Sequence, residues 1–446
     1  MPGGTFLSMN KVRPGAYLNF KSVPRPMMTV GDRGIVTIPL ELNWGAEGEL
    51  IDVYSDELLN GDSLAKVGFT AFDEDSKLVN LMLQNCYLAK LYRTNTGGVK
   101  ASTTIGNLTI TAKYAGTFGN NIQISSVEET TDVFTISTFV NGAEKDSQKV
   151  TAISELDDND YVKFSGTGDL SENAGKMLTG GTNGTTVKAT YYPLYLNLLS
   201  TARWQTMGCP DLDDSDTTLK ANIVTFIRNQ RNEEGRYVQG VIANYPTADF
   251  EGIISNTNGL VINSVTFTKE EMAAVVAAMT AGASVVESNT NKVVSGATSI
   301  TNPLTNTQII TALKNGQLVF SVNQRGEIKV EQDINSYHTF IPEKNRTFSK
   351  NRVMRTLDEI GTSVKDIWEQ TFMGKVDNND DGRVIFKSNL NDYFIQLQNL
   401  GAIQNWLGIE EIDISQGIEV DDVVVGVHVQ PVDSMEKLYM TVSIIG

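Results

Sequence analysis

Apolar residues recur along this chain at two different periods, and each period predicts a different kind of element. Between Ser349 and Phe372 they recur every three or four positions, which is the spacing of an amphipathic helix. This apolar stripe consists of Val353, Leu357, Ile360, Val364, Ile367 and Trp368. A further helix is predicted at about 390–400, followed by β-rich residues. Together these elements predict an α+β domain at 336–430.

Helical and strand patterns alternate in two other segments, 31–95 and 188–335. In the longer segment we predict helices at 193–201, 215–231 and 269–281, and strands at 204–207, 236–243 and 252–262. Such alternation is typical of an open sheet with helices on its faces. We therefore predict an α/β domain at 188–335, with 31–95 as the first part of the α/β core.

Between these segments, at 96–187, the composition of the sequence shifts towards Thr, Gly, Asn and Val. Apolar and polar residues alternate in short runs at Leu108–Ala112, Asn121–Ser125 and Val133–Ser137, with turn residues between the runs. Short strands at close spacing, without a helical pattern, predict a small all-β module. We interpret this module as an insertion in the α/β core.

Both ends of the chain predict extended arms. Residues 1–30 contain four prolines around one short apolar run, so this segment cannot form a long helix. At the other end, 431–446, apolar and mixed residues alternate over Lys437–Ile445 at the period of a strand. This strand could pair within the protein's own sheet, or it could be donated to another subunit. Its pattern alone leaves both interpretations open.

Charge and composition exclude several classes of function. The chain of 446 residues has a formal net charge of −17, so the whole protein repels nucleic acid and anionic membranes. It has no apolar run of about 18 residues and no signal-peptide pattern at its start. We therefore expect assembly in a cytoplasm, without nucleic acid and without direct insertion into a membrane. The two cysteines, Cys86 and Cys209, offer little for redox chemistry.

Candidate catalytic and metal-binding residues are sparse. His338 and His428 are the two histidines, and they form no Cys/His cluster that would predict a zinc site. A Gly-x-Ser-x-Gly elbow is missing, although the members of a catalytic triad can come from anywhere in a chain. Residues 377–384 match the first half of a calcium-binding EF-hand loop, but Ser388 stands where the bidentate Glu belongs. We expect a polar turn there, no cofactor, no metal and no enzymatic activity.

One basic cluster stands out in this acidic chain, and it lies at the start of the long predicted helix. It consists of Lys344, Arg346, Lys350, Arg352 and Arg355. Basic residues at a helix N-terminus oppose the macrodipole, so helix stability does not explain them. They form either a solvated surface or a docking face for an acidic partner. Because no aromatic residues are interleaved with the basic ones, a protein is favoured over single-stranded nucleic acid as that partner.

Seven short sequences, in order along the chain, resemble the contractile phage tail sheath family, in its branch of Gram-positive myophages, defective prophages and R-type phage-tail-like bacteriocins. They are PGAYLNF at 14–20, RGIVTIP at 33–39, NWG at 43–45, AKYAGTFGNN at 112–121, LTGGTNG at 178–184, DINS at 333–336 and FSKNRV at 348–353. The resemblance implies a multidomain α+β fold. Its parts would be a small β-sandwich, a subtilisin-like α/β domain without a protease site, a C-terminal α+β domain and two arms.

The resemblance also implies a function. Members of this family form stacked hexameric rings around a tail tube, exchange arm strands between subunits, and contract to drive the tube through a bacterial envelope. The implied partners are further copies of the chain, the tube, the baseplate and the tail terminator. The arm residues would be Tyr17, Leu18, Asn19, Phe20, Leu438, Tyr439, Met440, Thr441, Val442 and Ile444. We hypothesise that Lys344, Arg346, Lys350, Arg352 and Arg355 face the tube. The alternatives are a non-contractile structural or surface protein with an Ig-like insertion, and a cryptic α/β hydrolase.

Overall fold

The computed structural model describes residues 33–445 and two short strands near the start of the chain, Gly3–Gly4 and Ala16–Tyr17. Those two strands pair in parallel, with Gly4 opposite Tyr17, inside a unit that spans Met1–Asp32. The second unit is Arg33–Gly446. The predicted arm residues Leu18, Asn19 and Phe20 lie outside the described residues.

A seven-stranded sheet organises the second unit. In spatial order its strands are Gln317–Leu318, Ile253–Asn256, Gln239–Ala243, Thr206–Gly208, Ile35–Leu40, Leu88–Arg93 and Leu50–Tyr54. All neighbours pair in parallel except the edge strand Leu50–Tyr54, which is antiparallel to Leu88–Arg93. Strands from 31–95 and from 188–335 therefore alternate with helices and form one sheet.

Helices cover both faces of this sheet because successive residues of each strand point to opposite sides. On one face, Val36 and Ile38 pack into a core with helices Lys77–Leu83 and Lys269–Gly282. On the other face, Ile35 packs into a core with helices Lys188–Leu199 and Thr217–Asn232. The predicted helices at 193–201, 215–231 and 269–281 are confirmed in kind and approximate position.

Helix Lys269–Gly282 shows how local sequence and packing agree. Its N-cap Thr268 side chain accepts a hydrogen bond from the Glu271 amide at 3.2 Å, and the Glu271 carboxylate accepts one from the Thr268 amide at 2.8 Å, which forms a capping box. Its alanines let the helix approach the sheet closely. A Cβ at Gly208 would lie 2.6 Å from the Cα of Ala274, so glycine is required in that strand.

The predicted all-β module is a β-sandwich inserted between strand Leu88–Arg93 and helix Lys188–Leu199. One sheet contains Ala143–Val150, Val133–Val140, Ile122–Thr130 and Asn173–Met177, and the other contains Val162–Gly166, Leu108–Ala112 and Ser102–Ile105. Alternate residues such as Leu108, Ile110 and Ala112 are buried between the sheets. Strands Asn95–Thr96 and Thr185–Thr186 pair at the base of the insertion.

The C-terminal part contains the predicted long helix, Asn351–Ile367, which continues as one π-helical turn, Trp368–Phe372. The next helix, Asp380–Leu400, begins ten residues before its predicted start at 390. The expectation of a polar turn at 377–384 was therefore wrong for most of this stretch, because 380–384 is helical. Asn379 caps the helix by accepting from the Gly382 amide at 2.8 Å, and Asp380 and Asp381 lie in its first turn.

The remaining elements are short. Further helices are Ser55–Asn60, Leu64–Val67 and Asn306–Lys314. Further strands are Leu260–Ile262, Val265–Phe267 and Ala297–Ile300 in one sheet, Phe320–Val322 with Ile328–Val330, Ile403–Gln404 with Gln430–Pro431, and Ile412–Gln416 with Val423–Val427. The strand predicted at 252–262 is thus two strands, which belong to different sheets. No helix within the described residues is long and apolar enough to cross a membrane.

Candidate functional site

Residues 437–445, here called the terminal segment, extend away from the body of the protein, and each of them is exposed to solvent. Leu438 is 84% exposed, Tyr439 89% and Ile444 93%, so both faces of the alternating pattern lie in solvent. Within the described part of the chain no strand pairs with this segment, and it carries no strand assignment of its own. The sequence predicts a strand here, and the structure gives it no partner among the described residues of the same subunit.

A two-stranded hairpin lies close to this end of the chain. Strand Ile412–Gln416 pairs antiparallel with Val423–Val427, and Ile412 opposes Val427. Ile412 is buried, and Ile414, Val425 and Val427 pack around the core of helix Asp380–Leu400. Among the described residues neither strand has a second neighbour, so both outer edges present unpaired backbone groups.

The basic cluster is divided by the fold. Arg346 is exposed, Arg352 is half-buried, and Lys344 forms an ion pair with Glu251. Lys350 is 8% exposed and forms an ion pair with Glu436. Arg355 is fully buried and donates to Asp333 at 2.7 Å.

The hypothesis that all five basic residues share one surface is therefore corrected. Arg355 neutralises the buried carboxylate of Asp333, and the buried Lys350 pairs with the largely covered Glu436, because an unpaired buried charge is very costly. This also explains why basic residues occur at the start of a helix, where the macrodipole opposes them.

Two buried ion pairs tie the long helix to the α/β core. Arg355 pairs with Asp333, and Asp358 accepts two hydrogen bonds from Arg231, at 3.0 and 2.6 Å. Asp333 further accepts from the Asn289 amide and from Asn351, both at 2.9 Å. Sequence reasoning missed both pairs, because Arg231 and Asp358 lie 127 positions apart and no local pattern links them.

Several side chains of types that could act as a base or a nucleophile have structural partners. The ring nitrogen Nδ1 of His338 lies 2.8 Å from the Ser336 carbonyl and 3.3 Å from Asp249. The buried Ser336 hydroxyl donates to the Phe250 carbonyl and accepts from the Phe250 amide, so it is engaged with backbone groups. Burial raises the pKa of the Cys86 thiol to about 12, which removes its nucleophilic form at neutral pH.

The part of the chain that the structure describes brings no set of candidate metal ligands together. No group of three or more His, Cys, Asp or Glu side chains is placed to hold a metal ion there. Asp380 and Asp381 belong to a helix and not to an EF-hand loop. The described features that stand out are the exposed terminal segment and the open hairpin, which suit contacts between proteins.

Comparisons with known proteins agree with this architecture. Three family models match: the phage tail sheath β-sandwich domain at 96–183, the phage tail sheath central domain at 185–336 and the phage tail sheath C-terminal domain at 343–445. The phage-like element PBSX protein XkdK of Bacillus subtilis is 32% identical, and the match covers all of both chains. This chain belongs to the phage tail sheath family, and it is a structural subunit of a tail sheath.

Solved structures extend the comparison. The sheath tail protein of Desulfitobacterium hafniense is 38% identical and superposes with a TM-score of 0.81, covering 96% of this chain and 99% of that one. The helical sheath of the anti-feeding prophage in its contracted state is 11% identical with a TM-score of 0.56, covering 97% and 99%. The second likeness concerns the fold alone.

Proposed function

We propose that this subunit polymerises as stacked hexameric rings around a tail tube and contracts to drive the tube through a bacterial envelope. The observation that carries the proposal is the terminal segment, an alternating strand sequence that is exposed on both faces and pairs with no described strand of its own subunit. A strand of this kind gains main-chain hydrogen bonds by adding to the edge of another sheet.

The open hairpin Ile412–Gln416 with Val423–Val427 is the acceptor we propose for strands from neighbouring subunits. A sheet of two strands is marginal by itself, and added strands complete its backbone hydrogen bonding. We propose that the N-terminal arm, with Tyr17, Leu18, Asn19 and Phe20, also takes part in this exchange. Because donor and acceptor are different surfaces, the contact is heterologous. Such a contact generates a ring where the rotation between subunits closes and a helix where it does not.

Contraction then follows from the tethering of subunits by their arms. Linked subunits can exchange one set of domain contacts for another without separating, and release from a metastable extended packing would supply the work. The fold shared with a sheath in its contracted state supports this proposal. The role is structural and not catalytic, and the α/β body, a mainly parallel sheet with helices on both faces, is the part we propose to be subtilisin-like.

The partners and location follow from the same proposal. Relatives of this fold are found in baseplate and helical sheath assemblies. We propose that this chain binds copies of itself, the tail tube, the baseplate and the tail terminator, in a phage or phage-tail-like particle assembled in the host cytoplasm.

The proposed assembly can be tested directly on the purified full chain by negative-stain electron microscopy. We expect long hollow tubes of stacked rings, because each subunit carries both a donor strand and an acceptor edge. Separate compact particles at all protein concentrations would contradict the proposal and favour a non-contractile surface protein. An activity screen with ester and peptide substrates, run on the same sample, would detect the hydrolase alternative.

The proposed tube-facing surface now rests on Lys344, Arg346 and Arg352, of which Arg346 is the exposed member. Charge reversal of Arg355 would break an internal ion pair, so Arg346→Glu is the better test. We expect this change to reduce the number of sheaths assembled on purified tubes several-fold, because complementary charge steers docking. The matched control is Lys145→Glu, an exposed residue of the β-sandwich. Equal assembly by both variants, counted in micrographs, would disprove the assignment.

A further inference from the structure

Glu436 is the last described residue that is attached to the body of the protein. Its side chain is 11% exposed, although Met435 before it and Lys437 after it are exposed. From Lys437 to Ile445 every residue is exposed. The chain therefore passes from a held position to a free one within a single residue.

Three side chains hold the Glu436 carboxylate. Thr290 Oγ1 donates to Oε1 at 2.8 Å, Gln332 Nε2 donates to Oε2 at 2.5 Å, and the Lys350 ammonium forms an ion pair with Oε2. Lys350 is itself nine-tenths buried, and its other carboxylate neighbour is Asp433 at 3.8 Å. These partners come from three separate segments of the chain, so the carboxylate joins parts that are distant in sequence.

The holding groups are themselves fixed by the interior. The Thr290 hydroxyl accepts from the Asp333 amide at 2.9 Å, and Asp333 pairs with the buried Arg355. The Lys350 amide donates to the Thr347 carbonyl at 3.1 Å. The receiving site is therefore preorganised, and little side-chain freedom is lost when Glu436 enters it.

We infer that this set of contacts, the Glu436 clasp, is the pivot that fixes where and in which direction the terminal segment leaves the subunit. The inference rests on the proposed function in that residues 437–445 are the exchanged arm. A segment of 9 residues in extended form spans about 30 Å. With its origin fixed, such a segment meets a neighbouring edge at a high effective concentration, whereas a loose origin would dilute it.

The electrostatics agree with this geometry. Burial by itself raises the pKa of Glu436, but the hydrogen bonds from Lys350, Gln332 and Thr290 outweigh that effect and lower it. The carboxylate is therefore ionised at neutral pH, which is the form that the ammonium and the two neutral donors bind. Glutamine at this position would keep the size of the side chain and remove its charge.

The clasp can be tested on the unassembled full chain by the rate at which trypsin cuts after Lys437. A protease needs a locally released backbone, so cleavage reports opening of the clasp. We expect Glu436→Gln and Lys350→Met each to speed release of residues 438–446 about tenfold, because each removes a charged hydrogen bond. The double variant should be no faster than either single one, since both changes break one contact.

Lys350→Met leaves the sequence around the cut unchanged, so it separates opening of the clasp from altered protease preference. Lys149→Met, which removes an exposed ion pair with Glu129 in the β-sandwich, should cut at the wild-type rate. Wild-type rates in both clasp variants, or a general rise at sites throughout the chain, would overturn the inference. The measurement uses monomers, so it stands apart from the proposed function, which fails instead if the full chain does not form tubes.

Discussion

A chain that stops after Glu436 is expected to fold normally and to lose polymerisation. Residues 437–445 are all exposed in the described structure, so removing them together with Gly446 should change the melting temperature by less than about 2 °C. The same residues supply the proposed donor strand, and without it the acceptor hairpin of every neighbour stays open. Sedimentation velocity should show a monomer, and electron microscopy should show no tubes.

A point substitution in the full chain tests whether the terminal segment must pair as a strand or only has to be present. Proline at a strand position lacks the N–H of the ladder and clashes with pairing, whereas alanine keeps both the donor and the length. Thr441→Pro should therefore block assembly, and Thr441→Ala should retain it. Long tubes formed by the truncated chain, or by Thr441→Pro, would refute arm exchange through this segment.

Breaking the buried pair of Arg355 and Asp333 is expected to cause the largest loss of stability. Their side chains are 0% and 1% exposed, so Asp333→Asn would leave a guanidinium uncompensated in the interior. We expect the free energy of unfolding to fall by about 3–5 kcal/mol, measured by urea denaturation. Asp160→Asn, which removes an exposed partner of Lys113, should change it by less than about 1 kcal/mol.

The pair of Arg355 and Asp333 should also make the stability of the protein depend on pH. Burial raises the pKa of Asp333, but the Arg355 guanidinium and three hydrogen bonds outweigh burial and lower it. A carboxylate with a lowered pKa in the folded state stabilises the protein above its unfolded pKa of about 3.9 and loses that contribution as pH falls. The variant Asp333→Asn should therefore show a shallower loss of stability between neutral and acidic pH. If the free energy of unfolding fell equally steeply with decreasing pH in both proteins, this role of Asp333 would be contradicted.

The local patterns were sufficient to predict most helices and strands. The apolar stripe that begins at Val353 predicts a long helix because its spacing matches the helical turn, and the structure places it at Asn351–Ile367. Alternation at Leu108–Ala112 predicts a strand because one side of a sandwich is buried. In contrast, the start of helix Asp380–Leu400 was missed, because its first turn is made of polar residues whose role as a cap depends on position.

The terminal segment marks the boundary between what sequence and structure decide. Its alternation by itself determined that Lys437–Ile445 is a strand sequence, and motifs elsewhere in the chain, between residues 14 and 353, indicated a sheath subunit. Tertiary structure decided that this segment has no partner strand among the described residues of its own subunit and that Glu436 holds its origin. The partners of Glu436 lie 146, 104 and 86 positions away in the sequence. The burial of Lys350 and Arg355 likewise depends on carboxylates that no local pattern links to them. A charge pattern shows which residues need a partner, but the fold alone brings that partner into reach, because pairing energy depends on distance and burial.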